Sequence, residues 1–100
     1  MVFYHVVLFA WKPEATPAQI EAACRGLAAM KGAIPGVLDV VVGRNTTART
    51  PHTHGLLVVL EREEDLPAYD AHAVHQAVVV NLIKPILATV NALDFAPGFT

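Results

Sequence analysis

The sequence predicts an α+β fold of the ferredoxin-like type, βαββαβ, with a four-stranded antiparallel sheet. Three observations carry that prediction. An apolar run, Val2–Trp11, alternates β-branched and aromatic residues on both of its faces. A helix-start signature, Thr16-Pro-Ala-Gln19, follows it, and a pair of Val- and Leu-rich runs then flanks a polar loop before a second apolar helical stretch.

The first run is stopped by Lys12-Pro13. Phe3, Val7, Phe9 and Trp11 fall on one face and Tyr4, Val6 and Leu8 on the other, as expected for a strand central in its sheet and covered on both sides. In Thr16-Pro-Ala-Gln19 the Thr hydroxyl accepts an orphan amide, Pro17 takes the first helical position and Gln19 reaches back, so a helix starts there. Ile20, Cys24, Leu27 and Met30 or Lys31 form its expected inner stripe, with Glu21 and Arg25 outward, and Gly32 and Pro35-Gly36 end it.

Val37–Gly43 reads as the second strand and Thr53–Leu60 as the third, joined by a Thr- and Arg-rich loop, Arg44–Pro51, that should be mobile. Glu61–Asp65 is a turn whose carboxylates suit a helix start. Asp65 or a neighbour would cap a short helix, Leu66 to Ala71, in which Pro67 is tolerable in the first turn. A further helical piece begins near Ala73 with His75, Val78 or Val79, Leu82 and Ile86 on one face, and Pro85 bends or ends it. Asn91–Phe95 closes the sheet as a short fourth strand.

Composition narrows the function classes. One hundred residues suit one domain, 1–100, with a modest core. At 54% hydrophobic and 16% charged, the chain has more apolar surface than a lone domain this size hides easily, which points to self-association. The net charge of −2, without a basic face or aromatics interleaved with cations, argues against nucleic acid. The apolar N-terminal run is too short to span a bilayer as a helix and has no basic flank, so neither a membrane anchor nor a targeting signal is expected. A lone Cys24 excludes an internal disulfide, and a reduced thiol fits the cytoplasm. With one sheet face left open and lined by Tyr4, Val6 and Leu8 or the alternate row, a second copy should cover it, giving a homodimeric α/β barrel.

The densest chemistry lies in Tyr69-Asp-Ala-His72-Ala-Val-His75. His75 shares a helical face with Val79, Leu82 and Ile86, and a helix start favours its neutral, basic form. The alternative is a His hydrogen-bonded to a carbonyl or to Tyr69 that closes the turn. Tyr69 is either a donor to an oxyanion or a core ring with a polar tip. His72 is read as capping or solvent-facing. His5, in register with Val7 and Phe9, and His54, with Leu56 and Val58, sit among apolar strand neighbours; but both open strands that run antiparallel, which separates them unless the register is offset. His52-x-His54 and His72-x-x-His75 have chelating spacings without a second anchoring Cys or carboxylate, so no metal is assigned. Cys24 is expected to pack rather than react, Trp11 and Phe99 to serve as core or dimer contacts, and Arg44 either to hold an anion or to be solvated.

Taken together, His5-Val-Val-Leu-Phe with its Lys-Pro turn, Ile34-Pro-Gly-Val, Gly43-Arg-Asn, Thr53-His54 and Tyr69-x-x-His72-x-x-His75 resemble the stress-responsive dimeric α/β-barrel family, which includes plant polyketide cyclases of the olivetolic acid cyclase type. The resemblance spans nearly the whole chain. Ala73 stands where the family commonly has Pro. It implies, for an enzyme, cofactor-independent cyclisation or isomerisation with Tyr69 as acid or oxyanion donor and His75 as base. The wall of the implied apolar or aromatic ligand pocket would be His5, Val7, Phe9, His54, Val58, Val79 and Leu82. It also implies, in some members, a magnesium ion on backbone carbonyls, here near Lys31, Ile34 and Val37. A non-catalytic stress-associated dimer is the competing implication, since most members have no known activity.

Overall fold

The computed structural model describes residues 1–100. Strand β1 (Phe3–Trp11) leads through α1 (Pro17–Ala28) to β2 (Val37–Arg44) and β3 (His54–Leu60). Two short helices, α2 (Asp65–Ala71) and α3 (Ala73–Val78), follow; a π turn (Val79–Ile83) and a 3-10 turn (Lys84–Ile86) then deliver the chain to β4 (Leu87–Phe95). The strands pair antiparallel in the order β2-β3-β1-β4, so each strand–helix–strand crossover skips one strand, as the ferredoxin-like arrangement requires.

Sequence chemistry sets the element ends. Thr16 Oγ1 accepts from Gln19 N at 3.2 Å and Gln19 Oε1 accepts from Thr16 N at 2.9 Å, which is the reciprocal cap that starts α1. At the other end Gly36 holds φ +85°, where a Cβ would lie 2.7 Å from Asp65 Cγ. That close approach seats the turn before β2 on the start of α2. Asp65 is not a helix cap: the cap position is Glu64, which makes no side-chain bond, and the Asp65 carboxylate instead accepts from Arg62 N at 3.2 Å. A helical φ at Glu64 turns its side chain away from the amides it would have to satisfy.

One face of β1 and β3 carries Phe3, Val7, Phe9, Leu56, Val58 and Leu60, all buried under the helices. The helix α1 meets them with Ala23 and Leu27, and Met30 and Ile34 continue the contact beyond its end. The inner stripe is therefore rotated from the expected one: Ile20 and Cys24 are half-buried flank, because the small Ala23 allows α1 to lie closest to the sheet there. Cys24, partly desolvated, has its thiol pKa raised and is a poor nucleophile. Gly26 allows a similar close approach, since a Cβ there would stand 2.6 Å from Leu82 Cδ1 of the π turn.

Two elements differ from the sequence expectation in extent. Strand β4 spans nine residues rather than five, because the chain turns at Pro85 and Leu87-Ala-Thr-Val90 extends along β1 instead of prolonging the helix. The loop after β2 is tied at its base: Asn45 N donates to Thr53 O at 2.7 Å, Asn45 Nδ2 donates to His52 O at 2.8 Å, and Asn45 Oδ1 accepts from Thr47 N at 2.9 Å. These bonds oppose the free mobility expected of the segment. Phe99 is fully exposed and belongs to no core of the chain. The opposite sheet face, with Tyr4, Val6, Leu8, Leu57 and Val59, carries no helix, and Val41, Leu93 and Phe95 on it are 52%, 62% and 42% exposed. No helix is long and apolar enough to cross a membrane.

Candidate active site

The break between α2 and α3 builds the site. His72 takes an extended conformation, φ −63° and ψ 139°, which ends α2 and lets its Nδ1 accept from Val74 N at 3.1 Å as the cap of α3. The interruption leaves the Asp70 carbonyl without a helical amide, and two side chains from the next turn satisfy it: His75 Nδ1 at 2.9 Å and Gln76 Nε2 at 2.7 Å. A carbonyl only accepts, so Nδ1 of His75 carries the proton and Nε2 keeps the lone pair. The turn thus fixes both the orientation and the tautomer of His75.

Tyr69, one turn earlier, has no exposed surface. Its ring lies 4.5 Å from that of His75 and 5.6 Å from that of His5, centroid to centroid, so both imidazoles are neighbours of the phenol. The only partner of its hydroxyl is Met30 Sδ, at 3.9 Å, a weak acceptor. Burial first, and the Asp70 charge second, push the phenol pKa far above its ordinary value, so the group is a proton donor and not a phenolate. His5 is oriented from the sheet: Asp94, its partner in register on β4, accepts from its Nδ1. A carboxylate on Nδ1 leaves Nε2 as the nitrogen available to a ligand.

These groups border a cavity of about 320 Å³ between the sheet and the helical layer. His5, Val7 and Phe9 of β1 form its floor with Leu56, Val90 and Ala92, and Leu27, Tyr69, His75, Val79, Ile83, Lys84 and Leu87 complete the wall. The π turn matters here. Lys84 N–H bonds back to Val79 O, five residues earlier, and the wider loop places Val79, Ile83 and Lys84 along one wall. The chamber is mostly apolar with a few converging polar groups, as small-molecule sites are.

Of the residues assigned from the sequence, His5, Val7, Phe9, Tyr69, His75 and Val79 come together here. Three do not. His54 stands opposite Phe9 while His5 stands opposite Val58, four residues and roughly 13 Å apart along the sheet. The antiparallel register separates the two histidines, with no offset to bring them back. Val58 is buried in the core and does not border the cavity. Leu82 packs instead toward Gly26 of α1. The π turn is the reason, since its extra residue rotates Leu82 off the face that a regular helix would give it. Sequence reasoning missed Asp94, Lys84 and the β4 residues Val90 and Ala92. Ala92 and Asp94 already alternate within the expected strand, Val90 would have joined them had the strand been started at Leu87, and Lys84, in the turn before it, carries no such signal.

No three His, Cys, Asp or Glu side chains converge on a point that could hold a metal ion. His72 and His75 each have Nδ1 engaged by backbone, and His54 Nδ1 accepts from Trp11 Nε1 at 2.9 Å. At the turn before β2, the Ile34 carbonyl accepts from Val37 N at 3.3 Å.

The family model for the stress responsive A/B barrel domain matches residues 3–97. The chain belongs to that family. Among solved structures, it is similar to a dimeric ferredoxin-like protein of unknown function from Thermobifida fusca, at 29% identity and a TM-score of 0.85, covering 97% of this chain and 92% of that one. A protein from Arabidopsis thaliana superposes with a TM-score of 0.86 at 23% identity, covering 98% and 97%. Hydroxynitrile lyase from Passiflora edulis does so at 0.85 and 12% identity, covering 99% and 95%. The last two likenesses concern the fold alone. No curated protein matches the chain.

Proposed function

We propose that this family member is a homodimer whose subunits each bind a small apolar or aromatic carbonyl compound in the Tyr69–His75 cavity and catalyse cofactor-independent proton transfer, of the kind that drives isomerisation or polyketide-type cyclisation. The observation that carries this reading is the tautomer of His75: its Nδ1–H is committed to the Asp70 carbonyl, which leaves Nε2 as a base beside a neutral phenol in an apolar chamber.

The chemistry follows from these groups. His75 Nε2 removes a proton from the carbon next to a carbonyl, and the C–H electron pair moves into the enolate, whose oxygen takes the hydrogen bond that Tyr69 now gives weakly to Met30. Where the substrate has a second carbonyl, the enolate carbon attacks it and a C–C bond forms. The alkoxide so produced takes the proton back from His75. His5, braced by Asp94 through Nδ1, also borders the cavity, and its Nε2 lone pair can accept a hydrogen bond from a ligand hydroxyl. A bound apolar ligand would keep water from quenching the enolate.

The dimer rests on the uncovered sheet face. Tyr4, Val6, Leu8, Leu57, Val59, Leu93 and Phe95 make it apolar across three strands, and a patch of this extent is normally covered. The Thermobifida fusca relative is a dimeric protein, which supports the same arrangement here. A second copy placed face to face would close the two sheets into a barrel and leave both cavities on the outer, helical side.

One observation favours a non-catalytic alternative: His75 and Tyr69 each already have a protein partner, so the pair could serve only to close the turn. Deuterium exchange separates the two readings. With a 1-aryl-2-propanone in D2O followed by NMR, the protein should accelerate loss of the α-proton signal, and His75→Ala should remove the acceleration while the dimer persists. Equal exchange in the variant and the wild type, or no acceleration in either, leaves the structural dimer as the answer.

A further inference from the structure

A second concavity lies on the helical face of the sheet, between α1 and β2, and shares no lining residue with the Tyr69–His75 cavity. It is an open groove of about 890 Å³. The stacked rings of Phe9 and Trp11, 5.2 Å apart and 6° from parallel, divide the two: Phe9 borders the cavity and Trp11 the groove.

The groove has an uneven charge balance. Its polar donors are Arg44 and His54, which stand directly opposite each other across the β2–β3 pair. An indole N–H only donates, so the 2.9 Å bond from Trp11 Nε1 makes His54 Nδ1 an acceptor and puts the imidazole proton on Nε2. Neither that Nε2–H nor the Arg44 guanidinium has a protein partner. The carboxylate on the helix wall, Glu21, is already taken by Arg25 through contacts of 2.7 and 3.1 Å. Two unpaired donors therefore face a groove whose single carboxylate is neutralised. The Thr53 hydroxyl is taken up by His54 Nδ1 at 3.0 Å, and Trp11, Pro17, Ile20 and Val42 supply the apolar part of the lining. Burial first, and the Arg44 charge second, disfavour protonation of His54, so the imidazole keeps the neutral form with its proton on Nε2.

We propose that this groove is a binding site for a small carboxylate with a flat apolar body, the carboxylate held between Arg44 and His54 Nε2–H and the body laid against Trp11 and Ile20. A guanidinium fork and a neighbouring N–H donor match the two oxygens of a carboxylate, and the indole provides the flat wall. The site is independent of the proton chemistry assigned to the other cavity.

Trp11 is the sole tryptophan, so its fluorescence reports on the groove directly. Benzoate titrated at constant ionic strength should give a saturable change in emission, and benzyl alcohol, with the same ring and no charge, should not. Arg44→Gln, at an exposed position, should keep the fold by circular dichroism and weaken benzoate by at least about tenfold. Tyr69→Phe should bind benzoate as the wild type does. The proposal is overturned by a linear, unsaturable response, by equal binding of benzyl alcohol or of inorganic phosphate, by unchanged affinity in Arg44→Gln, or by loss of the response in Tyr69→Phe, which would put benzoate in the other cavity.

Discussion

Replacing Tyr69 by Phe should leave the protein as stable as before or make it more stable, although the hydroxyl being removed is completely buried. A hydroxyl taken from water into an apolar interior without a good partner costs about 1–3 kcal/mol by protein mutational measures. Its one partner is the Met30 thioether at 3.9 Å, long and weak beside an ordinary O–H···O bond near 2.7–2.8 Å. Only part of the desolvation cost is recovered, so deletion of the oxygen should stabilise by roughly 0–2 kcal/mol. For a chain of this length each kcal/mol moves Tm by about 4–8 °C. Calorimetry or a thermal melt should therefore give an unchanged or higher Tm, by up to roughly 16 °C. The same variant should lose about 10²–10³-fold of the α-proton exchange if the hydroxyl is the oxyanion donor. Stability gained while activity is lost marks a polar group kept for function. A Tm lowered by more than about 5 °C would mean that the hydroxyl holds the fold together, and would refute the argument.

Three further outcomes follow from the same structure. Ala73→Pro should stabilise by about 0.4–1 kcal/mol in urea unfolding: Ala73 is the first residue of α3, its N–H has no partner, and His72 before it already has the extended conformation that proline demands. Stability should fall as pH drops below 6.5 through the depressed pKa of His54, lowered mainly by burial and secondarily by Arg44. The folded state there binds fewer protons than the unfolded chain, so the contribution is complete above the ordinary value and lost in acid; in His54→Gln the change in Tm between pH 7 and pH 5 should be smaller than in the wild type, and an equal change would contradict the assignment. Leu57→Glu, opposite Val6 on the open sheet face, should convert the dimer to monomer in sedimentation at micromolar concentration with the far-UV spectrum retained, whereas an intact dimer would place the interface elsewhere.

The legible parts of the molecule were those where one local rule acts without competition. The Thr16–Gln19 cap, the strand β1 with two apolar faces and the strand order all follow from short-range pattern and from the crossover logic that pattern implies. Tyr69 and His75 were visible as a pair because both precede an apolar stripe at helical spacing. What escaped was set by departures from a regular period. The π turn displaces Leu82 from the helical face assigned to it, and Pro85 releases Leu87–Val90 into β4, so that Leu87 and Val90 meet the cavity. The family resemblance assigns His54 to the same pocket as His5, although the antiparallel order of their strands already separates them unless the register is offset. The register, in which each faces a residue four positions from the other, has no such offset, and the two border different concavities.

The central claim is that His75 offers a free Nε2 to a molecule lodged beside Tyr69. Nitrogen-15 NMR of the imidazoles during titration with a 1-aryl-2-propanone tests it most directly. The account predicts that free His75 shows a protonated Nδ1 and an unprotonated Nε2, and that the ketone shifts the His75 and His5 resonances saturably and together while leaving His52 and His54 unmoved. A His75 protonated on Nε2 in the free protein, or a titration in which its resonances do not move, would contradict it.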